Sequence, residues 1–168
     1  MKYREILLLQ PECGLKVARA LDQLFVKDAY LFEVDANERT ITGCFADYLK
    51  QQFSGCYDVD REYNRDRHDV KRLRSKVVSI SSDDDEARTV FPDVIVHRRG
   101  TDENYLVIEC KKFKSRGKRE EDLEKLSLFV SQLHYEYALY IEFLDRRLEE
   151  CGYVNHIEWI PSDTWPQQ

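Results

Sequence analysis

The stretch from residue 90 to 113, VFPDVIVHRRGTDENYLVIECKKF, constrains this chain more than any other. Two runs rich in β-branched and aromatic residues, 90–97 and 105–113, flank a turn-forming Gly100-Thr101-Asp102-Glu103-Asn104. That pattern predicts a β-hairpin. Folding it about the turn sets Asp93 opposite Glu109, where cross-strand side chains lie ~5 Å apart. Alternation then places Lys111 on the same face as Glu109, two residues along. Tyr105-Leu106-Val107-Ile108 is almost wholly apolar, as in a strand covered on both faces. A glutamate and a lysine at the end of such a strand need partners or a metal ion. Carboxylate oxygens are natural ligands of Mg²⁺, and a nearby ammonium orients water or stabilises developing charge. The patch has the outline of a metal-dependent hydrolytic site. Each group also has an ordinary reading: Asp93 as a solvated acid starting a strand after Pro92, Lys111 as an edge lysine that discourages aggregation.

Composition narrows the setting. With 168 residues, 42% hydrophobic and 35% charged, the chain reads as one soluble globular domain. No apolar run approaches the ~20 residues of a membrane span, and the N-terminal apolar run is too short for a secretory signal. Five cysteines, odd in number and without Cys-x-x-Cys spacing, read as reduced thiols of a cytoplasmic protein. The net charge is −6, yet basic residues cluster. Segment 111–119 holds six and no acid; segment 61–76 holds seven Lys/Arg against three acids. Such patches meet a phosphate backbone, or are simply solvated surface. Arg65, Lys71, Arg72, Lys112, Lys114 and Arg116 are the nucleic-acid-binding candidates. The acidic excess lies elsewhere, notably in Asp83-Asp84-Asp85-Glu86.

Periodicity supplies the other elements. Leu15, Ala18, Leu21, Phe25 and Ala29 predict a helix over 14–32. A second helix follows the break at 34–37 and runs to about Phe53, with Ile41, Phe45 and Leu49 as its buried stripe. Residues 57–65 read as a strand, and 66–88 as a short helix or turn plus a loop. An amphipathic helix over 120–133 carries Leu123, Leu126, Phe129, Val130 and Leu133 inward. Strands follow at 137–143 and 156–160, separated by a polar stretch. The expected architecture is an α/β sandwich around a mixed sheet.

Glu38 is the third informative carboxylate. It precedes Ile41 by three residues and Phe45 by seven, so it lies on the inward stripe and can reach the sheet. Alternatively, Asp35-Ala36-Asn37-Glu38 forms a capping box with Asp35 as N-cap. The four histidines lack metal-ligand spacing. His97 reads as a surface residue, or as a cleft liner beside Asp93. No phosphate-cradling Walker loop occurs.

The order Glu38, Pro92-Asp93, Glu109-Cys110-Lys111 resembles the PD-(D/E)XK nuclease superfamily, which includes restriction endonucleases, junction resolvases and repair or recombination nucleases. The family core of helix, three strands, helix and strand matches the order predicted from 37 to 143. The resemblance implies a restriction-endonuclease-like three-layer sandwich with a central mixed β-sheet flanked by helices. It implies an endonuclease hydrolysing DNA phosphodiester bonds with Mg²⁺, Mn²⁺ substituting. Asp93 and Glu109 would bind the metal with the Cys110 carbonyl, Glu38 would complete the site directly or through water, and Lys111 would activate the attacking water. Asp122, Lys125 and Gln132 from the following helix are auxiliary candidates. DNA is the implied partner, engaged as a homodimer or in a larger DNA-processing or defence complex. The chain departs from the Gln-x-x-x-Tyr signature of recombination-type exonucleases, since Gln132 is followed by tyrosines at 135 and 137. The alternative is a nuclease-like nucleic-acid-binding or assembly subunit with little catalysis, which the acidic balance favours.

Overall fold

The computed structural model describes residues 3–62, 65–66, 69–70, 72–73, 88–89, 91–114, 119–149 and 152–161. Four helices come first: α1 (Tyr3–Leu7), α2 (Pro11–Lys27), α3 (Ala29–Glu33) and α4 (Glu38–Phe53). Strands β1 (Asp58–Arg61), β2 (Val94–His97) and β3 (Asn104–Lys112) follow. Helix α5 (Arg119–Leu133) leads to β4 (Tyr137–Leu148) and β5 (Gly152–Ile160). The five strands form one sheet in chain order. All neighbours are antiparallel except β3 and β4, which are parallel. A parallel join needs a long crossover, and α5 supplies it.

Strand alternation divides the core between two faces. Val94, Val96, Leu106, Ile108, Leu139 and Ile141 pack with residues of α1 to α4. Ile95, Val107, Ala138 and Tyr140 pack instead with Leu126 and Phe129 of α5. The result is an α/β fold with a mixed sheet covered by helices on both faces, compatible with the expected three-layer sandwich. Because β2 and β3 are buried on both sides, their sequences are nearly continuous apolar runs. On α4, Ile41, Phe45, Leu49 and Phe53 are all buried. Each contributes roughly 1.5–3 kcal/mol.

Several expectations change. The hairpin forms as expected, but the polar stretch after residue 143 continues as strand: β4 reaches Leu148 and β5 begins at Gly152. Backbone pairing to a neighbouring strand overrides the weak apolar signal there. The first helix breaks at Asp28, and Leu15 is half-exposed, with Val17, Leu21 and Leu24 facing inward. The expected capping box is replaced by a cap two residues later. Asn37 takes extended backbone angles and its Oδ1 accepts the Thr40 N–H at 2.9 Å. Asp35 instead adopts φ +53° in the turn that follows α3. Between β1 and β2, Arg65–Asp66 pairs with Asp69–Val70, and Arg72–Leu73 with Arg88–Thr89. These short ladders stand where a helix or turn was expected; the rest of that expected loop lies outside the described residues.

Gly14 shows how closely α1 and α2 approach. A Cβ on Gly14 would lie 1.9 Å from the Leu7 carbonyl oxygen, a backbone atom that cannot rotate away. Helix propensity alone would favour alanine by about 1 kcal/mol, but overpacking typically costs ~1–3 kcal/mol. Gly14→Ala is therefore expected to lower the urea midpoint of unfolding; an unchanged or higher midpoint would show that the helices can separate freely.

Candidate active site

The hairpin register builds the centre of the site. Val94 pairs with Ile108, so Asp93, one residue before β2, meets Glu109. Asp93 Oδ2 accepts the Cys110 N–H at 2.8 Å. Alternation turns the Cys110 side chain into the core under α2 and α4. The same alternation sends Glu109 and Lys111 to the face covered by α5. That helix contributes Asp122 and Lys125, one turn apart. Lys125 Nζ lies 2.7 Å from Glu109 Oε1, an ion pair outside hydrogen-bond angles, and donates to the Phe91 carbonyl at 2.7 Å.

Helix α4 closes the other side. Glu38 is the first residue of α4, not the third after its cap, and its Oε2 accepts the Lys112 N–H at 3.0 Å. Its Oε1 lies 3.6 Å from Lys111 Nζ. Lys111 also lies 3.8 Å from Asp122 Oδ2. Glu38, Asp93, Glu109 and Asp122 are thus gathered around Lys111 and Lys125. Four carboxyl groups thus outnumber the two ammoniums.

Burial makes that excess costly. It pushes Glu109, which is 1% exposed, up to about 8, with Asp93 adding to the rise and Lys125 opposing it. Burial likewise raises Asp93 and Asp122, against the pull of Lys125 and Lys111. For Lys111 burial acts downward, yet the carboxylates of Glu38, Asp122, Asp93 and Glu109 lift it above the ordinary lysine value. Lys111 is therefore a held cation. The acids around it are poised to take up protons or a further cation.

Beside this cluster, between α4 and β1, lies a cleft of about 890 Å³. Glu38, Thr42 and Asp93 line it, together with Arg39, Lys50, Arg61 and Phe91. Arg61 packs its guanidinium against Gly43, where a Cβ would lie 2.4 Å from its Nη1. The carboxylate edge thus opens onto a space of mixed charge, whose walls also carry Asp47, Asp60 and Glu62.

The donors present are hard oxygens of the type Mg²⁺ takes, so the residues fit that ion chemically. Among the described residues, however, no group of three or more His, Cys, Asp or Glu side chains is arranged to hold a metal ion. The Cys110 amide engages Asp93, and the Lys125 ammonium lies against Glu109.

The remaining sequence candidates are less concentrated. The Lys112 ammonium, expected at a phosphate, binds the Asp35 carbonyl at 3.1 Å and the Ala36 carbonyl at 2.7 Å, tying the turn after α3 to β3. Lys114 is exposed and paired with Asp145. Arg65 and Arg72 stand in the short ladders, their side chains outside the described residues, as are Lys71 and Arg116 altogether. Gln132 is exposed, ten residues and so about 15 Å along α5 from Asp122.

His97 corrects the surface reading: it is buried, and its Nε2 lies 2.9 Å from Asp60 Oδ2. Sequence reasoning also passed over Glu142. The parallel register sets it beside Lys111, buried, with Arg119 at 3.2 Å. Its signal was available: Glu142 alternates with Tyr140 on the same strand.

Compared with family models, with curated proteins and with solved structures, the chain matches none.

A carboxyl whose pKa is raised by folding holds its proton more tightly folded than unfolded. Its stabilisation is complete below the unfolded value, near 4.5 for glutamate, and is lost as pH rises through the folded value. In chelator-containing buffer, the thermal midpoint of the protein should therefore fall relative to that of Glu109→Gln between about pH 5 and 8. Parallel midpoints across that window would mean that Glu109 is not held in its proton-binding state.

Proposed function

We propose that the chain is a Mg²⁺-dependent nuclease of the PD-(D/E)XK, restriction-endonuclease-like type, hydrolysing DNA phosphodiester bonds as an endonuclease. The observation that carries this reading is the convergence of Asp93, Glu109, Lys111 and Glu38 from a hairpin and a helix start, beside a cleft of mixed charge. Mg²⁺, when bound, supplies Lewis-acid polarisation of the scissile phosphate and a more acidic water. Asp93 and Glu109 are the residues that would hold it, with the Cys110 carbonyl and Glu38 as further donors. Lys111 holds its charge at the point where a water and a phosphate oxygen would meet; Glu38 and Asp122 fix that ammonium from two sides. Arg39, Lys50 and Arg61 are the cations that would meet a backbone in the cleft, where Asp47, Asp60 and Glu62 stand beside them and Arg39 pairs with Glu62.

A second reading has an observation of its own. Lys125 against Glu109 is the arrangement that a nuclease-like binding or assembly subunit would keep if it no longer used a metal. The two readings part on catalysis. With labelled duplex, branched and single-stranded DNA, the wild-type protein should cleave at least one with Mg²⁺ and none with chelator. Lys111→Ala should unfold cooperatively yet cleave about 10²-fold more slowly or worse, the scale of a positioned acid–base group. Full activity in Lys111→Ala would remove the assignment; no cleavage by the wild type would favour the inert subunit.

A further inference from the structure

Lys125 is placed unlike an ordinary surface lysine. Its ammonium lies 2.7 Å from Glu109 Oε1, on an acid that is 1% exposed, and it donates to the Phe91 carbonyl just upstream of Asp93. It thus bridges α5 to the start of β2 across the carboxylate pair. A divalent ion bound to the same Glu109 would sit about 2.0–2.1 Å from its oxygen. On that same oxygen, ion and ammonium would lie at most about 5 Å apart in a half-buried pocket, like charges with little water between them. They compete for one carboxylate.

The Lys125 side chain is 24% exposed, so the ammonium has a way out to solvent. Asp122, one helical turn back, lies toward Lys111 instead. We propose that Lys125 is an internal competitor for the cation site, an ammonium that neutralises Glu109 and must leave before a divalent ion binds there. The inference rests on the metal-centre reading above. It adds that this chain sets its own metal affinity through Lys125, binding the ion more weakly than the four carboxylates alone would.

Calorimetric titration with Mn²⁺ separates the two claims. The wild-type protein should bind Mn²⁺, and Lys125→Gln, which keeps a donor for the Phe91 carbonyl without the charge, should bind it at least tenfold more tightly. Lys125→Met should do the same, whereas Lys125→Arg should bind no more tightly than wild type. Without metal, Lys125→Gln should melt at a lower temperature than wild type, and Mn²⁺ should close that gap. No binding by either the wild type or Lys125→Gln would remove the metal-centre reading itself. Binding by the wild type with equal or weaker binding by Lys125→Gln would overturn the competitor role alone. Should the variants fail to fold, the wild-type NMR signals of the Lys125 side chain decide. On addition of Mg²⁺ they should move to those of a mobile lysine, and signals that stay put while Mg²⁺ binds would refute the displacement.

Discussion

Everything at the candidate site depends on the pairing of Val94 with Ile108 in the central hairpin. Side chains alternate with period two, so a slip of one residue would turn Glu109 into the core and Cys110 toward α5. The apolar faces of both strands resist such a slip, because Val94, Val96, Leu106 and Ile108 are all fully buried beneath α2 and α4. Asp93 adds a second lock by accepting the Cys110 N–H with its side chain. One carboxylate oxygen thus helps to define the register.

That register forces acids together at a depth where they repel. Asp93, Glu109 and Asp122 are all raised by burial; Asp93 adds to the rise at Glu109 and Asp122, and Glu38 to that at Asp93 and Asp122. A fold tolerates this only if cations are built in, and Lys111 and Lys125 are those cations. Lys125 faces the one acid of this set that is almost fully enclosed, whereas the Lys111 pairs are partly open to solvent. In the wall of the adjoining cleft, Asp60 shows the opposite balance. Burial would raise it, but hydrogen bonds from Arg99 and His97 win, and its pKa is lowered.

Much of this was legible in the sequence because it follows from short-range periodicity. The hairpin strands, the inward stripe of α4 and the helix over 119–133 all announce themselves in apolar spacing. The motif residues Asp93, Glu109 and Lys111 follow from alternation about the turn. What stayed hidden depends on distances along the chain that periodicity does not encode. Asn37 and Asp35 are equally good caps by type; only the turn with Asp35 at positive φ selects Asn37. His97 is buried because β1 brings Asp60 beside it, a pairing across 37 residues. Lys112 follows Lys111 in sequence but points to the opposite side, into the carbonyls that precede α4. The Lys125–Glu109 pair depends on how α5 lies over the sheet, which neither element reveals alone.

The central claim is that Asp93 and Glu109 share a divalent cation at the end of the hairpin. Anomalous scattering from crystals soaked in Mn²⁺, collected at the manganese edge, tests it most directly. The account predicts one strong peak between the Asp93 and Glu109 carboxylates, within reach of the Cys110 carbonyl, with the Lys125 ammonium displaced from Glu109. A peak elsewhere, or none with Lys125 still seated on Glu109, would contradict it.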